Sequence, residues 1–238
     1  MMGFRGTAFI ALWNGVDPER AAEYNIWHTR EHVPERLSVP GMCSARRYRR
    51  LQGPLHEYFT LYDLEDTGVL ASEAYRHLLE NPTEWSRSMR PSFRGFFRLC
   101  CTREASYGGG LGSILAAMVF GEDVNPTTPD LQTGLRGFLE EPSVIAVHLL
   151  ERDPSVPPVP FTVGGETPAL PEAGAILFES FDAEAFKAGL PGLVDRLNGM
   201  RLSEAATTLT VYQLASALDR ESLAKQHLCS ANGRLGRR

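Results

Sequence analysis

The run Tyr24-Asn25-Ile26-Trp27-His28-Thr29-Arg30-Glu31-His32-Val33-Pro34-Glu35 gathers two aromatic rings, two imidazoles and two carboxylates into about three helical turns. His28 and His32 stand four residues apart and Glu31 three beyond His28. On a helix all three project from neighbouring positions on one side. Imidazole is the side chain that titrates nearest neutrality, so the pattern points to proton transfer or to metal holding. Idealised helix geometry puts His28 off the apolar stripe and His32 at its flank, and His32 is therefore expected to reach a pocket between helix and sheet. The order H-x-x-E-H also fits helical zinc ligation, with the glutamate activating water. Zinc proteolysis further needs a third protein ligand, and only Glu104 lies at a workable spacing, on a strand end.

Arg46, Arg47, Arg49 and Arg98 fall on predicted strands. Arginine in a strand either pairs with a carboxylate, here Glu57, Asp63 or an opposing one, or holds an anionic oxygen on a ligand. The expected catalytic group is His28 and His32 as acid and base, Glu31 orienting an imidazole, and Tyr48 joining Arg46 or Arg47 on developing negative charge. Tyr24, Trp27, Arg46, Arg47 and Trp85 are the expected substrate-binding residues, with the indoles as flat apolar walls. His56, His77 and His148 read as structural. No phosphate loop follows Gly108-Gly109-Gly110, and no Gly-x-Ser-x-Gly elbow occurs, which leaves nucleotide cofactors and serine hydrolysis without support.

Positioning these groups falls to a recurring order of elements. Thr7 to Trp13 is a β-prone run closed by Asn14-Gly15, and Asp17-Pro18-Glu19 reads as a helix start. Ala22, Ile26, Val33 and Leu37 recur at helical steps, with Pro34 expected to kink or restart the helix. After Pro40-Gly41 come strands at 42–51 and 56–64, a helix at 70–79 and a strand at 92–102. That order, βαββαβ, is the ferredoxin-like one. Tyr107 to Gly110 reads as a linker. The order then repeats with strand 113–120, helix 129–139, strands 144–151 and 175–181, helix 183–197 and strand 206–215. The chain thus divides into units 1–107 and 111–218, followed by a helix and tail at 219–238. A proline-rich stretch between Asp153 and Gly174 lengthens the second central hairpin and is expected to cover something. Ala8, Ile10 and Leu12 alternate with Phe9, Ala11 and Trp13. A strand apolar on both faces predicts two units packed sheet to sheet, an α+β barrel-like body within one chain.

Composition narrows the partners. The 238 residues are 43% apolar and 22% charged with net charge -5, an ordinary globular balance. Residues 1–107 carry 14 arginines against 13 carboxylates, and the arginines around Tyr48 alternate between strand faces, which argues against nucleic acid as a partner. Four cysteines without CxxC spacing give neither a zinc knuckle nor a disulfide framework. No segment reaches the ~20 apolar residues of a membrane helix. The expectation is a cytoplasmic protein acting on a small molecule, either a monomer with an internal pseudo-dimer or a homodimer.

Taken together, Trp27-His28-Thr29-Arg30-Glu31-His32-Val33-Pro34-Glu35, Val39-Pro40-Gly41 and Ala45-Arg46-Arg47-Tyr48 resemble the EthD-like branch of the dimeric α/β-barrel superfamily. The second unit resembles it only in element order, since its first helix has no histidine and Pro142 is followed by Ser143. The resemblance implies ferredoxin-like units paired through their sheets. It also implies a superfamily of cofactor-free monooxygenases, lactone isomerases, polyketide cyclases, dehydratases and haem-binding enzymes, so the fold by itself selects no reaction. The expected activity is dehydration, decarboxylation, isomerisation or cyclisation of an aromatic or polyketide-like substrate without an organic cofactor. The alternatives are a cofactor-free or haem-dependent oxygenase, with haem or a divalent metal at His28 and His32, and a non-catalytic ligand-binding or assembly module.

Overall fold

Strand β1 (Ala8–Val16) sets the plan, because both of its faces must leave water. In the computed structural model of the chain, which describes residues 3–156 and 170–225, Phe9, Ala11 and Trp13 turn into the lumen of a closed barrel. Ala8 and Ile10 turn outward beneath helices.

The first unit continues through α1 (Ala21–Trp27), a π-helical turn (His28–His32), α2 (Val33–Leu37), β2 (Met42–Gln52), β3 (Tyr58–Leu64), α3 (Glu73–Glu80), α4 (Glu84–Met89) and β4 (Phe93–Gly108). The second runs through β5 (Ile114–Phe120), α5 (Pro129–Gly137), β6 (Val144–Arg152), β7 (Gly174–Ser180), α6 (Ala183–Gly199), α7 (Ser203–Ala206) and β8 (Thr210–Asp219), with residues 220–225 helical. The barrel order is β1-β3-β2-β8-β5-β7-β6-β4, closed by the β2–β8 and β4–β6 seams. Every pairing in it is antiparallel. Each unit keeps the ferredoxin-like strand order, and closure leaves no exposed sheet edge.

Several elements depart from the sequence reading. Asn14-Gly15 does not end β1 but makes a bulge in it, where the register against β4 shifts between Trp13 and Gly15. At Gly15 the strands approach closely, and a Cβ there would stand a tight 3.3 Å from the Arg94 carbonyl oxygen. Asp17 does not cap a helix; its carboxylate pairs with Arg94 at 2.7 Å, and a short 3-10 turn at Pro18–Arg20 leads into α1 instead. Tyr107 and Gly108 belong to β4 rather than to a linker. Gly108 has φ +74° and sits against the Ile145 carbonyl, a left-handed strand end that only glycine fits. β4 pairs with β1 through residues 93–102 and with β6 through 101–108, so one strand serves both units. A short helix, α4, was not foreseen; the Thr83 hydroxyl accepts from the Ser86 amide and caps it. Most of the proline-rich stretch, and the tail beyond residue 225, lie outside the described residues.

Candidate active site

Pro34 shapes the site before any functional side chain does. A proline has no amide hydrogen and its ring crowds the carbonyl four residues back. The chain widens just ahead of it into the π turn, in which the Val33 amide reaches back five residues to the His28 carbonyl. The helix restarts at Val33 with Pro34 in its first turn. Ala22 and Ile26 of the expected apolar stripe are exposed, and Tyr24 and Trp27 face inward instead; His28, four residues beyond Tyr24, follows them to 3% exposure, with its ring 5.2 Å from that of His32. The deeper imidazole is therefore His28, the reverse of the idealised-helix expectation, while His32 keeps partial exposure.

Both rings line a cavity between the outer face of the first sheet and the helices over it. The floor is Ile10, Leu12 and Asn14 of β1 with Thr60 and Tyr62 of β3. Trp27, Phe93 and Phe96 give apolar walls, and the Tyr24 hydroxyl is tied down by donating to Asn14 Oδ1 at 3.1 Å. Four buried polar atoms in this lining have no hydrogen-bond partner in the protein: His28 Nδ1, His32 Nδ1, Arg36 Nη1 and the Tyr62 hydroxyl. A buried polar group left unpaired costs about 1–3 kcal/mol, and the four residues that carry these atoms all line this one space.

The electrostatics favour an anion. Arg36, Arg90 and Arg98 line the cavity and no carboxylate does. Burial, then Arg47 and Arg36, hold His28 well below the ordinary imidazole pKa. Burial, Arg36, His28 and two further arginines do the same to His32. Both rings are neutral at physiological pH, the form that accepts a proton. Burial also pushes the Tyr62 phenol upward, which keeps it a donor.

The sequence-derived residues separate into three groups. His28, His32, Tyr24 and Trp27 meet in the cavity. Glu31, Arg47 and Trp85 stand behind its wall. Glu31 bonds to no imidazole; it accepts from Thr83 Oγ1 at 2.6 Å and from Trp27 Nε1 at 3.2 Å, pinning the π turn to α4. Arg47 lies over the Tyr24 and Tyr58 rings and donates to Asn25 Oδ1 at 2.6 Å. Trp85 donates to Glu23 at 2.9 Å. Arg46 and Tyr48 project the opposite way, into the barrel lumen, because strand side chains alternate and β2 turns Arg47 to the helices. There Arg46 pairs with Glu179 of β7 at 2.7 Å, both nearly fully buried. Sequence reasoning missed Arg36, Tyr75, Asn14 and Thr60. Arg36 carried a signal, being four residues beyond His32 on the same helix side.

A second, more open hollow lies by Pro54, His56 and Thr207, but its Arg50 already donates to the Leu55 carbonyl. Two imidazoles among guanidinium groups, with no carboxylate beside them, do not fit a divalent cation. Among the described residues no cluster of three metal-ligating side chains occurs. Haem fits poorly as well: Thr60 Oγ1 stands 3.5 Å from His28 Nε2, and the His32 ring is clasped by Trp27 and His28 at 4.5 and 5.2 Å.

No protein-family description matches the chain, and no curated protein matches it either. Solved structures do. An anthrone oxidase-like protein is 9% identical at TM-score 0.57, covering 90% of this chain and 92% of that one. A putative chlorite dismutase is 11% identical at TM-score 0.50, covering 92% and 98%. A haem-binding protein from Thermus thermophilus is 12% identical at TM-score 0.48, covering 92% and 94%. At these identities the likeness is one of fold, the ferredoxin-like dimeric α/β barrel. No described helix is long and apolar enough to cross a membrane.

Proposed function

We propose that this chain is a small-molecule enzyme, working without an organic cofactor, in which a neutral imidazole takes a proton from carbon or oxygen next to a carbonyl or phenol. The observation that carries this reading is that four residues with unpartnered polar atoms line one cavity without a carboxylate. His28, the deeper ring, is the base. His32, close by and partly exposed, passes the proton outward. Arg36 and Tyr62 hold the oxygen on which negative charge develops, replacing the Arg46 and Tyr48 expected from sequence. Trp27, Phe93 and Phe96 suit an aromatic or polyketide-like substrate. Dehydration, isomerisation and cyclisation begin with this step, and decarboxylation ends with its reverse, protonation of the carbanion left when CO2 departs. The EthD-like motif of the first unit is compatible with the same chemistry.

A second reading shares the first step. An enolate or phenolate held among aromatic walls, shielded from water, is a species dioxygen oxidises directly, which makes a cofactor-free oxygenase the runner-up. A phenol and polyketide panel followed by mass spectrometry with an oxygen electrode separates the two, since only the second consumes dioxygen. His28→Ala and His32→Ala are each expected to lower turnover about 10²- to 10⁴-fold. Turnover within threefold of the parent in both variants would overturn the proposal, and ligands returned unchanged across the panel would make the chain a binding module.

A further inference from the structure

The cavity is polarised from end to end. His28, Thr60, Tyr62 and Arg36 lie in its buried part, whereas its rim is partly exposed, at Phe96 and Arg98 of β4 on one side and at His32, Leu79 and Arg90 on the helices. The register of the sheet gives the distance between the two ends. Leu12 lies opposite Thr60 on β3 and opposite Arg98 on β4, so Thr60, Leu12 and Arg98 form one row across the floor. Two strand spacings separate the ends of that row, about 9.5 Å. Thr60 is the residue at His28 Nε2. Arg98 thus stands across the floor from the proposed base.

Arg98 has no carboxylate partner among the described residues. Its contact is a long one, Nη2 donating to the Tyr75 hydroxyl at 3.4 Å. Elsewhere on the strands Arg46, Arg49 and Arg94 meet carboxylates, Glu179, Glu57 and Asp17, while Arg47 and Arg50 donate at closer range to Asn25 Oδ1 and the Leu55 carbonyl. An arginine facing an apolar cavity without a carboxylate is set for a charge brought by the ligand.

We propose that the substrate carries a carboxylate, which Arg98, steadied by Tyr75, holds at the mouth while the reacting carbonyl or phenol end reaches His28. This deepens the proposed function and rests on it for the direction in which the substrate lies. Arg98 is then a specificity residue, selecting flat acids of two or three fused rings with oxygen at the far end.

The probes are 6-hydroxy-2-naphthoate and its methyl ester, titrated by fluorescence into the full chain. The acid is expected to bind at least about tenfold more tightly than the ester, the size of one charge-assisted contact. Arg98→Met should remove that preference while leaving ester binding within about twofold, and Arg98→Lys should restore part of it. Equal binding of acid and ester by the parent, a preference that survives Arg98→Met, or no binding of either compound at about 1 mM would each overturn the proposal. Should Arg98→Met lose its fold by circular dichroism, Arg98→Gln is read in its place against the same outcomes. The His28→Ala variant is expected to keep the acid preference, so failure of the acid/base reading, seen in turnover, is distinct from failure of this one, seen in binding.

Discussion

The two halves of the barrel cover the same sheet face in opposite ways. Across the first sheet the row Thr60–Leu12–Arg98 floors a hollow of aromatic walls set with imidazole and guanidinium groups. Across the second, the row Phe178–Ala116–Val211 is apolar and filled from above. Leu131 and Leu135 of α5 and Phe186, Leu193 and Leu197 of α6 interdigitate with it, and the Phe138 ring meets Phe178 edge-on at 5.2 Å. One backbone plan therefore supports either a close-packed core or a site. The choice lies in the π turn ahead of Pro34 and in which side chains face the gap, rather than in topology.

The sharpest break of this comparison is Phe178→Ala. It removes a fully buried ring from the packed half and is expected to cost about 3–5 kcal/mol, read as a lower urea midpoint, while folded protein keeps its turnover. A loss of turnover in excess of the loss of folded protein would mean that the packed half contributes to the chemistry.

Acid sensitivity comes next. His28, His32 and His148 have folded pKa values below the ordinary 6.5, that of His148 down at about 3, chiefly through burial. As pH falls below 6.5 the unfolded chain takes up protons that the native one refuses, so stability present above 6.5 is lost. Glu179 runs the other way. Burial raises it from 4.5 to about 7, so its contribution falls as pH rises between those values. Between pH 5 and 6.5 His148 and Glu179 offset each other, both being lumen residues. Most of the slope then belongs to the two histidines of the hollow half, on the order of 1.4 kcal/mol per pH unit for each, with a further share from His56, which burial and Arg50 also hold below 6.5. The double variant His28→Gln/His32→Gln should unfold with a clearly shallower midpoint dependence over that window, and an unchanged slope would assign the acid sensitivity elsewhere.

The smallest effect concerns Arg36. Its buried, partly unpartnered guanidinium serves a ligand at the expense of the fold. Arg36→Met is expected to raise stability by about 1 kcal/mol while lowering turnover. Thermal unfolding and turnover measured on the same preparation check it, and a drop in both would show that Arg36 holds the half together instead.

How much of this the sequence disclosed depends on the kind of signal. Strand and helix periods are local, and they placed all eight strands and the doubling of the unit. Asn14-Gly15 and Tyr107-Gly108 misled because glycine that relieves a close approach inside a ladder looks, in one dimension, like glycine in a turn. Tyr24, Trp27, His28 and His32 were legible because one helix carries them. Arg46 against Arg47 was not, since alternation says that they differ in face but not which face is the lumen. Arg36, Tyr62 and Arg98 come from three elements, and only the closed fold brings them to one space.

The Arg46–Glu179 bond joins β2 of one half to β7 of the other across the lumen, and among the described residues no ion pair repeats it in mirror image. When two identical polypeptides assemble a barrel, every substitution enters twice, and an acid gained on one side is gained on both. Fusing the halves into a continuous chain lifts that obligation. One half can then be packed solid while the other keeps its hollow, with no substitution shared between them.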